Sequence, residues 1–499
     1  MTDQLSPARV GCPADPALGR RATVVATVHS RSGATAAALA GLPTGVTGIE
    51  VRADLTGDLN PHQLRRHGCG QLTYSLRSRR YGGHSAEAPV TRRTRLLAAA
   101  RGYDLVDLEA DHDLVPEVLA GIPAQQRRIC WYGDETDLTG LRTRFERMAR
   151  VPAALYLLAP RAGSFPAALV PLRLLASLGR NDVTAFGTGP VAAFSRVLAP
   201  WLGAPVVYGN PAGPTTDQLL TDYPFPELPS LASIGGIVGR SLHTSLFLRL
   251  INAAFQELSI PSLFLPFVVP GADEFHDRFW PAVRSGYLDE LGLPLHALTV
   301  AAPYKPAAFA AATLADPQAR AAQAANLLLR QPARQPGGRW RAATTDGSAV
   351  LAALLDAGPV AGLPAAVVGC GDAGRAAASA LSDAGARVTL VNRSTSRGRF
   401  AASRLGLPFV PLSAFDPGRY GVLVHATPLD NRLPFPLDNV PAGAIVADFV
   451  CAAATTALVA AARSRGLTTI DGQQVLAQEV KQQFRLMTGR RVPASVYSR

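Results

Sequence analysis

The chain has 499 residues, of which 48% are hydrophobic and 17% charged. That excludes a disordered polymer and predicts two or three domains of about 100–200 residues each, while 45 Gly and 40 Pro without a repeat exclude a collagen-like rod. The net charge of +12 is almost wholly arginine, since only Lys305 and Lys481 among 49 basic residues are lysine, and these arginines are scattered without interleaved aromatics, which points to solvated faces and small-acid sites and not to nucleic acid.

The N-terminal stretch MTDQLSPARVGCPADP lacks the apolar core of a signal peptide. Cys12, Cys69, Cys130, Cys370 and Cys451 form no C-x-x-C pair, so a reducing compartment and no metal site are expected. The longest apolar stretch, IPSLFLPFVVPGA from Ile260, is too short and too broken by proline to span a bilayer. A soluble cytoplasmic protein without a membrane partner is the expectation.

Eight short β-branched runs recur through the first 210 residues: ATVVATV, GIEVRADL, LTYSL, YDLVDLE, RRICWY, ALYLLA, DVTAFG and PVVYG. Segments of helical spacing such as LTGLRTRFERMAR separate them. Strands alternating with helices mean parallel βαβ units, and eight units in this length predict a (β/α)8 barrel, with a doubly wound open sheet as the alternative. The proline-rich stretch from Asn210 to Ser230 reads as an inter-domain linker. A second βα series starts at LASIGGIVG and a third at PAAVVGCGDAGRAAASAL. The expected organisation is α/β throughout: a barrel over 1–225, a substrate lobe over 231–345, and a dinucleotide-binding Rossmann lobe with a C-terminal helix over 346–499.

The third series carries strand, GxGxxG, helix and second strand in order, with Gly369, Gly371 and Gly374. The first glycine permits the tight turn, the second lets the backbone approach a pyrophosphate, and the third packs helix on strand. At the end of the second strand a carboxylate would hold the ribose of NAD. Here the residues are Asn392, Arg393, Ser394, Thr395, Ser396 and Arg397, and two guanidiniums suit a 2′-phosphate, so NADP is the expected cofactor.

Lys305 in APYKP, Asp346 in TTDG, the glycine turn and NRSTSR occur together and in that order. Together they resemble shikimate dehydrogenase, and the DGQQVLAQEVKQQFRLMTGRRVP stretch resembles that family's closing helix. The preceding barrel resembles type I 3-dehydroquinate dehydratase, so the whole chain is similar to the fused enzyme of aromatic amino-acid biosynthesis. The resemblance implies an NADP-dependent reduction of 3-dehydroshikimate or a related cyclic keto acid. It implies Lys305 and Asp346 as the catalytic pair, Ser245, Asn326 and Glu479 at the substrate, and Thr427 with the glycine turn and Asn392, Arg393, Ser394 and Arg397 at the cofactor. A non-catalytic quinate- or shikimate-sensing or scaffold protein is the alternative.

Several positions depart from the family. Phe247, Leu248 and Ile251 stand where its carboxylate-binding segment has a second Ser, a Pro and a His, while Ser245 and Asn252 are kept. Ala301 replaces a Thr, Cys451 a Tyr, and Glu479 a Gln. In the barrel, Glu50, Arg52, Arg77, Glu109 and Arg196 match positions expected to hold an acidic substrate. The Schiff-base lysine and its assisting histidine would stand at Leu157 and Tyr132. The barrel region contains no lysine at all, and an imine needs a primary amine, so the dehydratase reaction is expected to be lost. His29, His84 and His112 near strand ends read as solvated or core-satisfied histidines.

Overall fold

The computed structural model describes residues 20–29, 41–66, 70–135, 137–210, 213–242, 245–332, 337–452 and 454–498, and Cys12 and Cys69 lie outside them. Each of the eight runs forms a strand: β1 Thr23–Val28, β2 Gly48–Arg52, β3 Gln71–Ser75, β4 Leu105–Glu109, β5 Arg127–Gly133, β6 Leu155–Pro160, β7 Val183–Ala185 and β8 Val206–Tyr208. They form one parallel sheet in the order β7-β6-β5-β4-β3-β2-β1-β8. Because β8 pairs back onto β1, the sheet curls into a barrel, and the doubly wound alternative is excluded for this half. Among the described residues, the ladder is open only between β7 and β8. Strands covered on both faces read as unbroken apolar runs, which is why the pattern shows no alternation.

Of the Asn210–Ser230 stretch, expected to be a linker, residues 213–230 are folded onto the barrel instead. Thr216–Thr221 is a helix whose start is closed by reciprocal bonds between Thr215 and Gln218. Leu219, Tyr223 and Phe225 are buried, and Glu227–Leu228 pairs antiparallel with Arg20–Arg21. The T-x-x-Q spacing is a helix-start signal that outweighs the surrounding prolines.

A second sheet contains β9 Ser233–Gly239, β10 Ser262–Val268, β11 Leu295–Val300, β12 Leu314–Ala315, β13 Leu327–Gln331 and β14 Arg339–Ala343, ordered β10-β9-β11-β13-β14-β12. The first three are parallel, and β13 runs antiparallel to both neighbours. Its edge strand β10 is covered by the barrel's outer helices. Phe267 of β10 packs against Phe165, 5.4 Å between ring centroids, and against Phe194 of helix α1 (Ala193–Leu198) at 5.2 Å. An edge buried under aromatic side chains cannot recruit foreign strands, and barrel and second sheet share one apolar cluster.

The third sheet contains β15 Pro364–Val368, β16 Arg387–Asn392, β17 Phe409–Pro411, β18 Val422–His425, β19 Ile445–Asp448 and β20 Thr468–Ile470. It is wholly parallel in the order β17-β16-β15-β18-β19-β20. The strand order reverses at β15, and the crevice beyond the carboxyl ends of the strands at that reversal is where such sheets bind ligands. No helix among the described residues is long and apolar enough to cross a membrane.

Candidate active site

Lys305 is the first residue of helix α3 (Lys305–Ala311), directly after Tyr304, whose hydroxyl is tied to Val269 O. Its ammonium donates to both oxygens of Asp346, at 2.9 and 2.7 Å. Burial disfavours the ammonium, but the Asp346 and Glu479 charges outweigh it, and Lys305 titrates above the usual lysine range. Asp346 opens helix α4 (Asp346–Ala357). Fully buried Asn326 fixes that start: its Oδ1 accepts the Thr345 N–H at 2.8 Å, while its Nδ2 lies 3.0 Å from Asp346 Oδ1 and 2.8 Å from Glu479 Oε1. Helix α4 is pressed onto helix α5 (Asp372–Asp383), which follows the glycine turn; a β-carbon at Gly347 would stand 2.2 Å from Ala376 O. The start of α4, and with it the ammonium–carboxylate pair, is therefore held beside the helix that follows the glycine turn.

Three glycines shape the turn in three ways. Gly369 has φ +115°, and a β-carbon there would meet Ala426 O at 2.6 Å; one at Gly374 would meet Gly369 O at 1.8 Å. Gly371, at the start of α5, faces open space. Free N–H groups at a helix start beside an open surface fit a pyrophosphate. Asn392 accepts the Cys370 N–H and donates to Ser394 O, and Ser394 caps helix α6 (Thr395–Leu405) through the Arg397 N–H. Arg393 and Arg397 are exposed and have no acidic partner among the described residues. Thr427 borders Gly369 and bonds to the fully buried His425, whose other ring nitrogen lies 2.9 Å from Asp448 Oδ1.

The barrel mouth encloses a cavity of about 260 Å³ lined by Glu50, Arg52, Arg77, Tyr132, Leu157 and Arg196 among others. Leu157 and Tyr132 are thus on its wall. Beneath it, Arg128 binds Glu50, Asp107 (2.8 Å) and Tyr208 (3.1 Å). Burial raises the Glu50 carboxyl, but Arg128 and Arg77 overcome this and hold it below the usual range. Arg77 donates to Tyr132 Oη at 2.6 Å and stacks on its ring, with Nε unpartnered. Arg196 stacks on Phe186, and neither its Nε nor one terminal nitrogen has a partner among the described residues. Burial pushes Arg196 down to about 10. Buried N–H groups without acceptors are rare, and two guanidiniums carrying them beside one cavity fit a small carboxylate.

Three expected site residues stand apart. Arg52 lines the cavity but is bound bidentately to Asp54, at 2.8 and 2.7 Å. Glu109 accepts the Ser78 N–H and faces Arg92, and it is not among the residues that line the cavity. Ser245 caps helix α2 (Leu246–Glu257) and lines a separate small cavity with Asp222. Phe247 and Ile251 are buried, and Asn252 clamps the backbone of Phe264. Unforeseen members of the Lys305 cluster are Thr345 and Gln483. Gln483 sits four residues after Glu479 on helix α7 (Gly472–Thr488) and donates to Glu479 Oε1 at 3.1 Å and Thr345 Oγ1 at 3.1 Å. An amide at i+4 of a pocket residue on the same helix face is the signal that could have found it. No group of three potential metal ligands occurs among the described residues.

No family model matches the chain. It is 35% identical over 256 residues to the shikimate dehydrogenase (NADP(+)) of Acidiphilium cryptum, covering 50% of this chain and 87% of that protein. It is 32% identical over 280 residues to that of Symbiobacterium thermophilum, covering 52% and 90%. The chloroplastic bifunctional 3-dehydroquinate dehydratase/shikimate dehydrogenase of Arabidopsis thaliana is 24% identical over 339 residues, 62% of this chain and 54% of that one. Among solved structures, shikimate 5-dehydrogenase from Thermus thermophilus, in complex with NADP(H) and shikimate, aligns with a TM-score of 0.46 at 27% identity, over 53% of this chain and 96% of that one. The dehydroquinate dehydratase and shikimate dehydrogenase from S. pombe aligns over 96% of this chain and 98% of its own, with a TM-score of 0.44 at 18% identity. With its glycine turn, and with relatives more than 30% identical matched over most of their own length, the chain belongs to the shikimate dehydrogenase family.

Proposed function

We propose that the chain is an NADP-dependent oxidoreductase that interconverts 3-dehydroshikimate, or a related cyclic keto acid, with its alcohol, fused to a barrel that binds a small acid without dehydrating it. The observation that carries the redox reading is the doubly bonded Lys305–Asp346 pair at the crevice beside the glycine turn. NADPH held there would supply the hydride for the ketone carbon. The Lys305 ammonium is the group placed to hold the ketone oxygen as it gathers negative charge and to give it a proton. Asp346 keeps Lys305 charged and oriented, and Asn326 keeps Asp346 in place. Gly369, Gly371 and Gly374 would bear the pyrophosphate, Asn392 and Ser394 shape the adenosine end, and Arg393 and Arg397 would bind the 2′-phosphate. Thr427 would line the cofactor cleft.

Mixing the protein with NADPH and 3-dehydroshikimate should consume NADPH absorbance, and Lys305→Ala should abolish that consumption. Equal consumption by both proteins rejects the assignment. For the barrel, the absence of lysine from residues 1–225 predicts that borohydride with 3-dehydroquinate adds no mass to any barrel peptide. A second reading, a sensor or scaffold that binds quinate-like acids without turnover, draws on the unpartnered Arg77 and Arg196 nitrogens. It predicts binding with no NADPH consumption by any cyclic keto acid.

A further inference from the structure

The Lys305 cluster contains one ammonium and two carboxyls. Asp346 accepts the Lys305 ammonium on both oxygens and the Asn326 amide on Oδ1. Glu479 receives only neutral amide N–H groups, from Asn326 at 2.8 Å and Gln483 at 3.1 Å, both on Oε1. The single Nδ2 of Asn326 lies within hydrogen-bond reach of both carboxyls. Two like charges this close, sharing one cation, cannot both ionise freely. Glu479 keeps partial exposure, and its second oxygen has no partner among the described residues. Charged or titratable groups around it are Lys305 on α3, Asp346 on α4, and Cys451 after β19, whose thiol is raised by burial and by the Asp471 and Glu479 charges; Asp372 on α5 acts on the cluster through Lys305. None of these adds a second cation. Helix α2, meanwhile, turns Phe247 and Ile251 into the core, so neither side chain can receive a substrate carboxylate.

We propose that Glu479 is a specificity-determining residue that makes binding of an acidic substrate proton-coupled: the crevice admits a hydroxylated keto acid as Glu479 takes up a proton, and admits an uncharged hydroxylated ketone without that uptake. The inference rests on the dehydrogenase reading. Protonated, Glu479 offers an O–H donor to a substrate hydroxyl or carbonyl. Ionised, it leaves the crevice with net charge −1, and a substrate carboxylate adds repulsion that no local cation offsets. Burial and the Asp346 charge push Glu479 up to about 7, which puts this exchange within the working range of the assay.

The test compares the full-length protein with Glu479→Gln, nearly isosteric and unable to ionise. Shikimate oxidation is followed across about pH 6 to 9, and shikimate binding to the NADP-loaded protein is measured calorimetrically in two buffers of different ionisation enthalpy. Expected for the wild type is a KM that rises toward about tenfold per pH unit above about pH 7, with kcat changing less, and uptake of about one proton per shikimate bound at the alkaline end. Expected for Glu479→Gln is a flat KM and uptake near zero, with NADP affinity unchanged. An uncharged hydroxylated cyclic ketone should show neither effect with either protein. Wild-type turnover with a pH-independent KM overturns the role of Glu479 alone, as does a variant whose KM rises as the wild type's does. No turnover by the wild type of shikimate or of any related cyclic hydroxy acid rejects the dehydrogenase reading and this proposal with it.

Discussion

Gly371→Ala separates the ligand-binding task of the glycine turn from its folding task. At Gly374 a methyl would lie 1.8 Å from Gly369 O, and at Gly369 it would lie 2.6 Å from Ala426 O in a backbone of φ +115°. Either substitution must move backbone. At Gly371 the backbone is extended, φ −72°, and a methyl meets no atom within 4 Å. Alanine there suits the folded chain and restricts the unfolded one, a gain of about 0.4–1 kcal/mol. The same methyl projects into the open space at the start of α5, where a pyrophosphate would lie. Forcing a pyrophosphate away by one carbon removes one or two charge-assisted hydrogen bonds at about 1.5–3 kcal/mol each. A loss of about 3 kcal/mol weakens NADPH binding roughly a hundredfold. Thermal unfolding without ligand and fluorescence titration with NADPH measure the two effects separately. Gly371→Ala should melt at or slightly above the wild-type temperature and bind NADPH about a hundredfold more weakly, whereas Gly374→Ala should lose stability before any ligand is added. A Gly371→Ala protein that binds NADPH like the wild type would refute the placement of the dinucleotide on this turn.

Asp346→Asn removes one partner of a largely buried ion pair and leaves the ammonium uncompensated, a loss of about 3–5 kcal/mol of stability, and should lower kcat/KM for shikimate about a hundredfold or more. Because the Asp346 charge is the largest of those that raise Lys305 against burial, the variant's lysine loses its proton at lower pH, and the alkaline limb of its pH–rate profile should move down. Replacing Arg393 and Arg397 together by Ala should weaken NADP binding about ten- to a hundredfold and leave NAD binding unchanged; equal losses for both would show that these side chains do not read the 2′-phosphate. Arg196→Met removes a buried guanidinium with two unpartnered nitrogens, so the ligand-free protein should gain about 1–4 kcal/mol. The same change should abolish any thermal stabilisation by quinate or shikimate that the barrel provides, and a ligand-induced shift that survives in Arg196→Met would place acid binding elsewhere.

What the sequence made legible follows from how far apart the cooperating groups lie. The glycine turn is read within a few residues, since strand, turn and helix are contiguous and each glycine answers a local steric demand. The barrel is legible for a related reason: a parallel sheet buried on both faces leaves an apolar run at every strand. The Asn210–Ser230 segment reads as a linker by its proline content, yet the Thr215–Gln218 cap, a local signal of known mechanism, decides its structure.

Side-chain chemistry assembled across strands is a different matter. Glu50 looks like a substrate ligand in isolation, yet one of its oxygens is taken by Arg128, 78 residues away, and the guanidiniums left with spare donors are Arg77 and Arg196. The choice among those arginines depends on which carboxylates the barrel brings within reach, and nothing in the local pattern records it. Glu479 shows the same limit more sharply. As a residue type it reads as a charge that repels an acid; in the folded chain its partners are an amide 153 residues distant and one a helical turn away. Neither partner supplies a positive charge, and the one nearby ammonium is already held by Asp346. A carboxyl so placed can relieve the crevice only by taking up a proton, so its effect on an acidic substrate is conditional on pH, whereas an unconditional exclusion would require it to stay ionised.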